Sequence, residues 1–191
     1  STQGVSSAAS DVYKRQLWNG GNLRADIAEG TFGAEALAEV LPFPNKVAVV
    51  YMTGAQLLET LEAASQGLPY TAETADACAS LMQVSGLTYT VDTTKAYDAL
   101  EAYGDHWFTA GSVSRVRIDD VNGQPFDAEA TYAVVTSNAN FNGMDSSYVL
   151  KAAAEANEQS AVTTAVVRDV VFRFIAAELN HQVGEAYACL L

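Results

Sequence analysis

The chain has 191 residues, 49% of them hydrophobic and 17% charged, which is enough for a single globular core. With Lys and Arg totalling 10 against 23 Asp and Glu, its net charge of -13 repels nucleic-acid phosphates and anionic lipid alike, so neither is an expected partner. A mononucleotide stays admissible because one well-placed arginine outweighs the global field there, and no run of ~18 apolar residues is present to span a membrane.

Residues 1–16 show no apolar periodicity and are expected to be unstructured, with no signal peptide among them. Residues 11–16 (DVYKRQ) read as a translation of GAT GTG TAT AAG AGA CAG, which resembles the transposon end of sequencing-library adapters. Cys189-Leu190-Leu191 matches the same adapter on the opposite strand. The expectation is therefore a translated adapter at 11–16 and 189–191 around a natural segment 17–188, the alternative being an ordinary Ser/Ala-rich tail. Of the 2 cysteines, Cys189 then falls in the tail, so a Cys78–Cys189 disulfide is not expected and the redox compartment is not legible.

Leu17 to Asn19 read as a strand end feeding a glycine loop, and residues 33–41 as a short helix with Ala36, Leu37, Val40 and Leu41 on one side. Residues 46–52 (KVAVVYM) are apolar nearly throughout and predict a strand buried on both faces. Thr53 and Gln56 have capping-box spacing for a helix that turns Leu57, Leu58, Leu61 and Ala64 inward and stops at Gly67. Residues 68–80 predict a surface loop, and 81–93 a strand interrupted at Ser85-Gly86. Strands are expected at 112–118 and 131–136, with a turn at Asp119-Asp120-Val121-Asn122-Gly123 between them. Helices are expected at 146–157 and 163–180, the second deeply packed through Val166, Val167, Val170, Val171, Phe174 and Ala177. Together these make a single α+β domain with a mixed β-sheet and packed helices.

Candidate chemistry gathers on two loops. In Trp18-Asn19-Gly20-Gly21-Asn22-Leu23-Arg24 the glycines permit positive φ and close ligand approach, Asn19 both donates and accepts, and Arg24 suits carboxylates, phosphates and aromatic faces. In Leu41-Pro42-Phe43-Pro44-Asn45 the prolines fix a turn that displays Phe43 and Asn45. Each residue also has a purely structural reading. Arg24 pairs with Asp26, Asn19 serves a turn, Phe43 joins the core, Gly86 makes a β-bulge, and Asp145 caps the following helix. His106 and His181 lack ligand spacing, Tyr103 to Trp107 read as a polar loop, and Asp119-Asp120 lacks the calcium-loop pattern. No metal site or catalytic motif is expected in this chain.

The motifs NGGNLR (19–24), LPFPN (41–45), TGAQLLETLE (53–62), QVSGLTYTVD (83–92), TYAVV (131–135) and SNANFNGMD (137–145), in this order, resemble a known family. They look like the C-terminal, substrate-binding domain of 5'-nucleotidases, UDP-sugar hydrolases and cyclic-nucleotide phosphodiesterases. The resemblance implies a nucleotide or nucleoside ligand, with Asn19 and Arg24 holding the substrate, Phe43 stacking on the base and Asn45 reading its edge. It also implies that Gly86 lends backbone to the pocket and that Asp145 contacts ribose or base. The family's second stacking aromatic falls at Ala139, leaving Phe141 as the nearby substitute, and the aromatic expected just after Asp145 comes late, at Tyr148. The resemblance further implies an extracellular, periplasmic or cell-surface parent whose separate N-terminal metallophosphoesterase domain carries divalent metals. On that reading the chain alone is inactive. A non-enzymatic binding or structural module with a degenerate pocket is the alternative, and the same architecture serving another phosphoester or a sulfur ester is a further one.

Overall fold

The computed structural model describes residues 15–104 and 106–184, so the expectations for 1–14 and 189–191 lie outside the described residues. Its elements in chain order are β1 (Gln16–Asn19), α1 (Ala34–Val40), β2 (Lys46–Thr53), α2 (Gly54–Ala64), β3 (Met82–Ser85), β4 (Leu87–Val91), β5 (Ala99–Tyr103) and β6 (Trp107–Ala110). There follow β7 (Val116–Val121), β8 (Gln124–Pro125), β9 (Thr131–Ser137), α3 (Asn138–Phe141), α4 (Tyr148–Ala156), β10 (Ala161–Val166) and α5 (Val167–Ala177). A five-stranded sheet runs in the order β10-β2-β9-β1-β3. It is mixed, because β1 and β9 are parallel while the other neighbours are antiparallel.

Side-chain alternation along the central strands sets the layers. Leu17, Val50 and Met52 face the main core, where Leu57 and Leu61 of α2 meet Leu150 and Ala153 of α4. Trp18 and Val47 face a second, smaller cluster built by Leu37 and Leu41 at α1 and Val167 and Val171 of α5. β2 is therefore not buried equally on both faces. Ala48, Val50 and Met52 are buried, whereas Val47, Val49 and Tyr51 are half-buried under the thinner layer.

The capping box forms as expected, with Thr53 Oγ1 accepting the Gln56 N–H at 3.2 Å and Gln56 Oε1 accepting the Thr53 N–H at 2.9 Å. Gly67 is not the helix stop. α2 ends at Ala64 and is capped by Ser65, and Gly67 is needed because a Cβ there would stand 2.4 Å from the Cys78 nitrogen. The 81–93 stretch splits at Gly86, where φ of +76° turns the chain out of the five-stranded sheet and into a three-stranded one, β4-β7-β8. The expected strand at 112–118 starts later, at Val116, and runs on through Asp119 and Asp120. The hairpin turn is thus Asn122-Gly123, with φ of +53° and +71°.

Four further expectations needed correction. Tyr103 and Trp107 belong to a hairpin, β5–β6, rather than to a loop. Residues 161–166 form the edge strand β10, so the last helix starts at Val167 rather than Thr163. That helix is not deeply packed. Only Val167 is buried in α5, while Val170, Phe172 and Phe174 are 43%, 50% and 43% exposed. Gln16, placed in the tail by the sequence, pairs with Ser85 and Val135 as the first residue of β1.

Candidate functional site

β1 ends at a buried Asn19, and the next residues close a 3-10 turn, Gly20–Asn22. Gly20 N–H donates to the Leu81 carbonyl at 2.9 Å and Arg24 N–H to the Val40 carbonyl at 3.0 Å, which ties the loop to β3 and to the end of α1. Neither glycine has positive φ, contrary to the expectation. Gly21 is required by close approach instead, since a Cβ would stand 3.0 Å from the Ala79 Cβ. The turn after α1 then displays Phe43, 41% exposed, and the Arg24 guanidinium carbon lies 5.3 Å from its ring centroid. Arg24 and Asp26 form no ion pair.

The third segment comes from far along the chain. Ser137 caps α3, and its Oγ donates to Asn140 Oδ1 at 2.7 Å. Asn140 Nδ2 donates to Ser147 Oγ at 2.9 Å, so the loop between α3 and α4 is clamped from inside. From the side, Tyr103 of the unexpected hairpin donates its hydroxyl to the Gly143 carbonyl at 2.7 Å. Asp145 rides on this loop at φ of +54°. It is not a helix cap, because that position belongs to Ser147. Its carboxylate accepts from Asn19 Nδ2 instead. Asn19 Oδ1 accepts from Asn22 Nδ2, and Asn22 Oδ1 accepts from Asn45 Nδ2 at 3.1 Å.

Burial pushes the Asp145 carboxyl above its ordinary range, against the pull of the Arg24 charge and the Asn19 hydrogen bond. With the folded pKa above the unfolded one, the charged form costs stability at neutral pH, and that cost is relieved as pH falls through the folded pKa. Asp145→Asn is therefore expected to be more stable than the wild type in urea at neutral pH, with the gap closing as the solution is acidified. A variant less stable at neutral pH contradicts this account of the site.

Asn19, Arg24, Phe43, Asn45 and Asp145 thus converge on one end of the large sheet. Gly86 does not join them. Met82 lies opposite Asn19 and Ser85 opposite Gln16, so Gly86 stands at the other end of that ladder, roughly 13 Å along an extended strand from Met82. Its carbonyl receives the Asn122 N–H at 2.9 Å, which makes it a corner rather than a pocket wall or a bulge. Phe141 is half-buried and packs on the main core, so it does not stand free as a plate opposite Phe43. Tyr148 also points elsewhere, its hydroxyl engaging Glu59 and the Ala110 N–H.

A shallow crevice at this end, with no enclosed room for a water molecule, is lined by Trp18, Asn22, Leu41, Phe43, Asn45 and Val167. It has the form of an open platform rather than of the ~300–1,000 Å³ cavities that enclose ligands. Trp18 Nε1 is buried there without a hydrogen-bond partner. Asn22 and Trp18 were missed in the sequence, although Asn22 lies inside the NGGNLR motif. A larger groove of about 680 Å³ lies between residues 30–34 and α5, away from every candidate residue. Among the described residues no group of three or more His, Cys, Asp or Glu is placed to hold a metal ion. No helix among them is long and apolar enough to cross a membrane.

Fold and sheet order define the class first: a mixed five-stranded sheet with helices on both faces and a polar cluster at one end. Residues 14–152 match the family profile described as 5'-nucleotidase, C-terminal domain, and the chain belongs to that family. A 5'-nucleotidase precursor from Thermus thermophilus is 30% identical over 87% of this chain, with a TM-score of 0.67. The NAD nucleotidase of Haemophilus influenzae shares the fold at 20% identity over 88% of this chain, with a TM-score of 0.60. The chain spans only 29% and 28% of the lengths of these two solved proteins. No curated protein matches it.

Proposed function

We propose that this chain is the substrate-binding part of a metal-dependent 5'-nucleotidase-like phosphoesterase, taking a nucleotide or nucleoside at Asn19, Arg24, Phe43, Asn45 and Asp145. The observation that carries the reading is the Arg24 guanidinium lying 5.3 Å over the exposed Phe43 ring, beside a carboxylate reached through Asn19. Phe43 gives a face for a base to stack on, Asn45 an amide for its edge, and Arg24 and Asp145 a cation and an anion for hydroxyls or phosphate. Hydrolysis would belong to an N-terminal metallophosphoesterase domain of the same parent, which would supply the divalent-metal chemistry. Family membership supports this division and an extracellular, periplasmic or cell-surface parent.

Two measurements test the proposal. The chain with added divalent metal is expected to release no phosphate from AMP, and turnover by this chain alone contradicts the division of labour. In calorimetry, millimolar or tighter binding of adenosine or AMP that weakens in Arg24→Ala supports the site. No binding at all favours a second reading, a non-enzymatic binding or structural module with a degenerate pocket. One observation speaks for that reading: Ala139 supplies no ring, and Phe141 is spent on the core.

A further inference from the structure

The side chains behind the platform form one directed chain. Asn45 Nδ2 donates to Asn22 Oδ1 at 3.1 Å, Asn22 Nδ2 donates to Asn19 Oδ1, and Asn19 Nδ2 donates to Asp145 Oδ2. An ionised carboxylate only accepts, so Asn19 must turn its NH2 toward Asp145. Its carbonyl then faces Asn22, which must answer with its own NH2, and the same logic passes to Asn45. Asn19 and Asn22 are only 1% and 8% exposed, so water cannot compensate a reversed amide there. Reversal would set carbonyl against carbonyl in a buried place, at the full desolvation cost of unpaired polar groups. What is left over is Asn45 Oδ1, an acceptor with no partner among the described residues, on a side chain that lines the crevice beside Phe43.

We propose that Asn22 is a positioning residue: it carries the polarity imposed by Asp145 through to Asn45, so that the platform presents a fixed acceptor and selects ring ligands bearing an N–H or NH2 donor on their edge. The selectivity rests on the nucleoside reading above, whereas the relay itself does not. Asn22 contacts no ligand in this scheme. It acts by denying Asn45 the freedom to rotate its amide and offer a donor instead.

The relay is tested without ligand by following the side-chain NH2 signals of Asn19, Asn22 and Asn45 in nitrogen-15 spectra while Asp145 is titrated with acid. Arg24 is the charged group that faces Asp145. In the intact chain the three pairs are expected to move with one common midpoint. In Asn22→Leu, Asn19 still follows and Asn45 does not. An Asn45 signal indifferent to the titration of the intact chain overturns the relay, and this result needs no variant to fold. Selectivity is read by calorimetry with adenosine and with purine riboside, which lacks the 6-amino donor. The intact chain is expected to prefer adenosine by about fivefold to tenfold, and Asn22→Leu to bring the ratio close to one. Equal binding of the two by the intact chain overturns the selectivity alone. Binding of neither overturns the nucleoside reading and the selectivity with it, leaving the titration to decide the relay.

Discussion

Glu62→Ala is expected to lose about 2–5 kcal/mol of unfolding free energy in urea denaturation. Glu62 is fully buried in α2. Its carboxylate accepts the Arg115 N–H at 3.2 and 3.0 Å and the Val116 N–H at 2.9 Å, which docks the start of β7 onto the helix. Arg115, 2% exposed, donates to the Ser65 and Leu68 carbonyls at 3.1 and 2.6 Å. Alanine would leave the buried N–H groups of Arg115 and Val116 without an acceptor, at ~1–3 kcal/mol each. Glu62→Gln keeps one acceptor oxygen and should fall between the two. A loss below ~1 kcal/mol would mean that water reaches these groups, in conflict with the packing described.

Phe43→Ala is expected to weaken adenosine binding by roughly 5–150-fold, the ~1–3 kcal/mol typical of base–aromatic stacking. The stability loss should stay well below the ~3–5 kcal/mol of a core Phe→Ala, because Phe43 is 41% exposed. Trp18, the other ring lining the crevice, packs against the Leu37, Leu41 and Val167 cluster, so it is not expected to take over the stack. Phe43→Trp, which keeps a ring at that position, should retain most of the affinity. Equal binding by the alanine variant places the ligand elsewhere, and a large stability loss makes Phe43 a core residue after all.

Much of this was legible from local chemistry. Thr53 and Gln56 announce their capping box and Asn122-Gly123 its turn, because both depend only on neighbours in sequence. Family motifs placed Asn19, Arg24, Phe43, Asn45 and Asp145 among the candidates before their convergence was visible. What escaped was set by tertiary context. β5 is mostly exposed and shows no apolar alternation, so the hairpin that props Gly143 left no trace. Residues 161–166 run into an apolar helix, and their β-branched stretch merges with its periodicity. Gly86 was assigned to the pocket from a motif, but only strand register places it at the far end of the ladder. Asp145 looked like a helix cap because its true partner, Asn19, is 126 positions away. Asn22 was passed over because its importance lies in what stands on either side of it.

The most direct test is to follow side-chain and backbone signals of the chain by NMR as adenosine is added. The account predicts that the Phe43 ring, the Arg24 guanidinium and the Asn45 amide shift together and saturate with one dissociation constant, while residues of the groove beside α5, such as Phe172 and Val183, stay still. Shifts confined to that groove, or a Phe43 ring unmoved by saturating adenosine, contradict it.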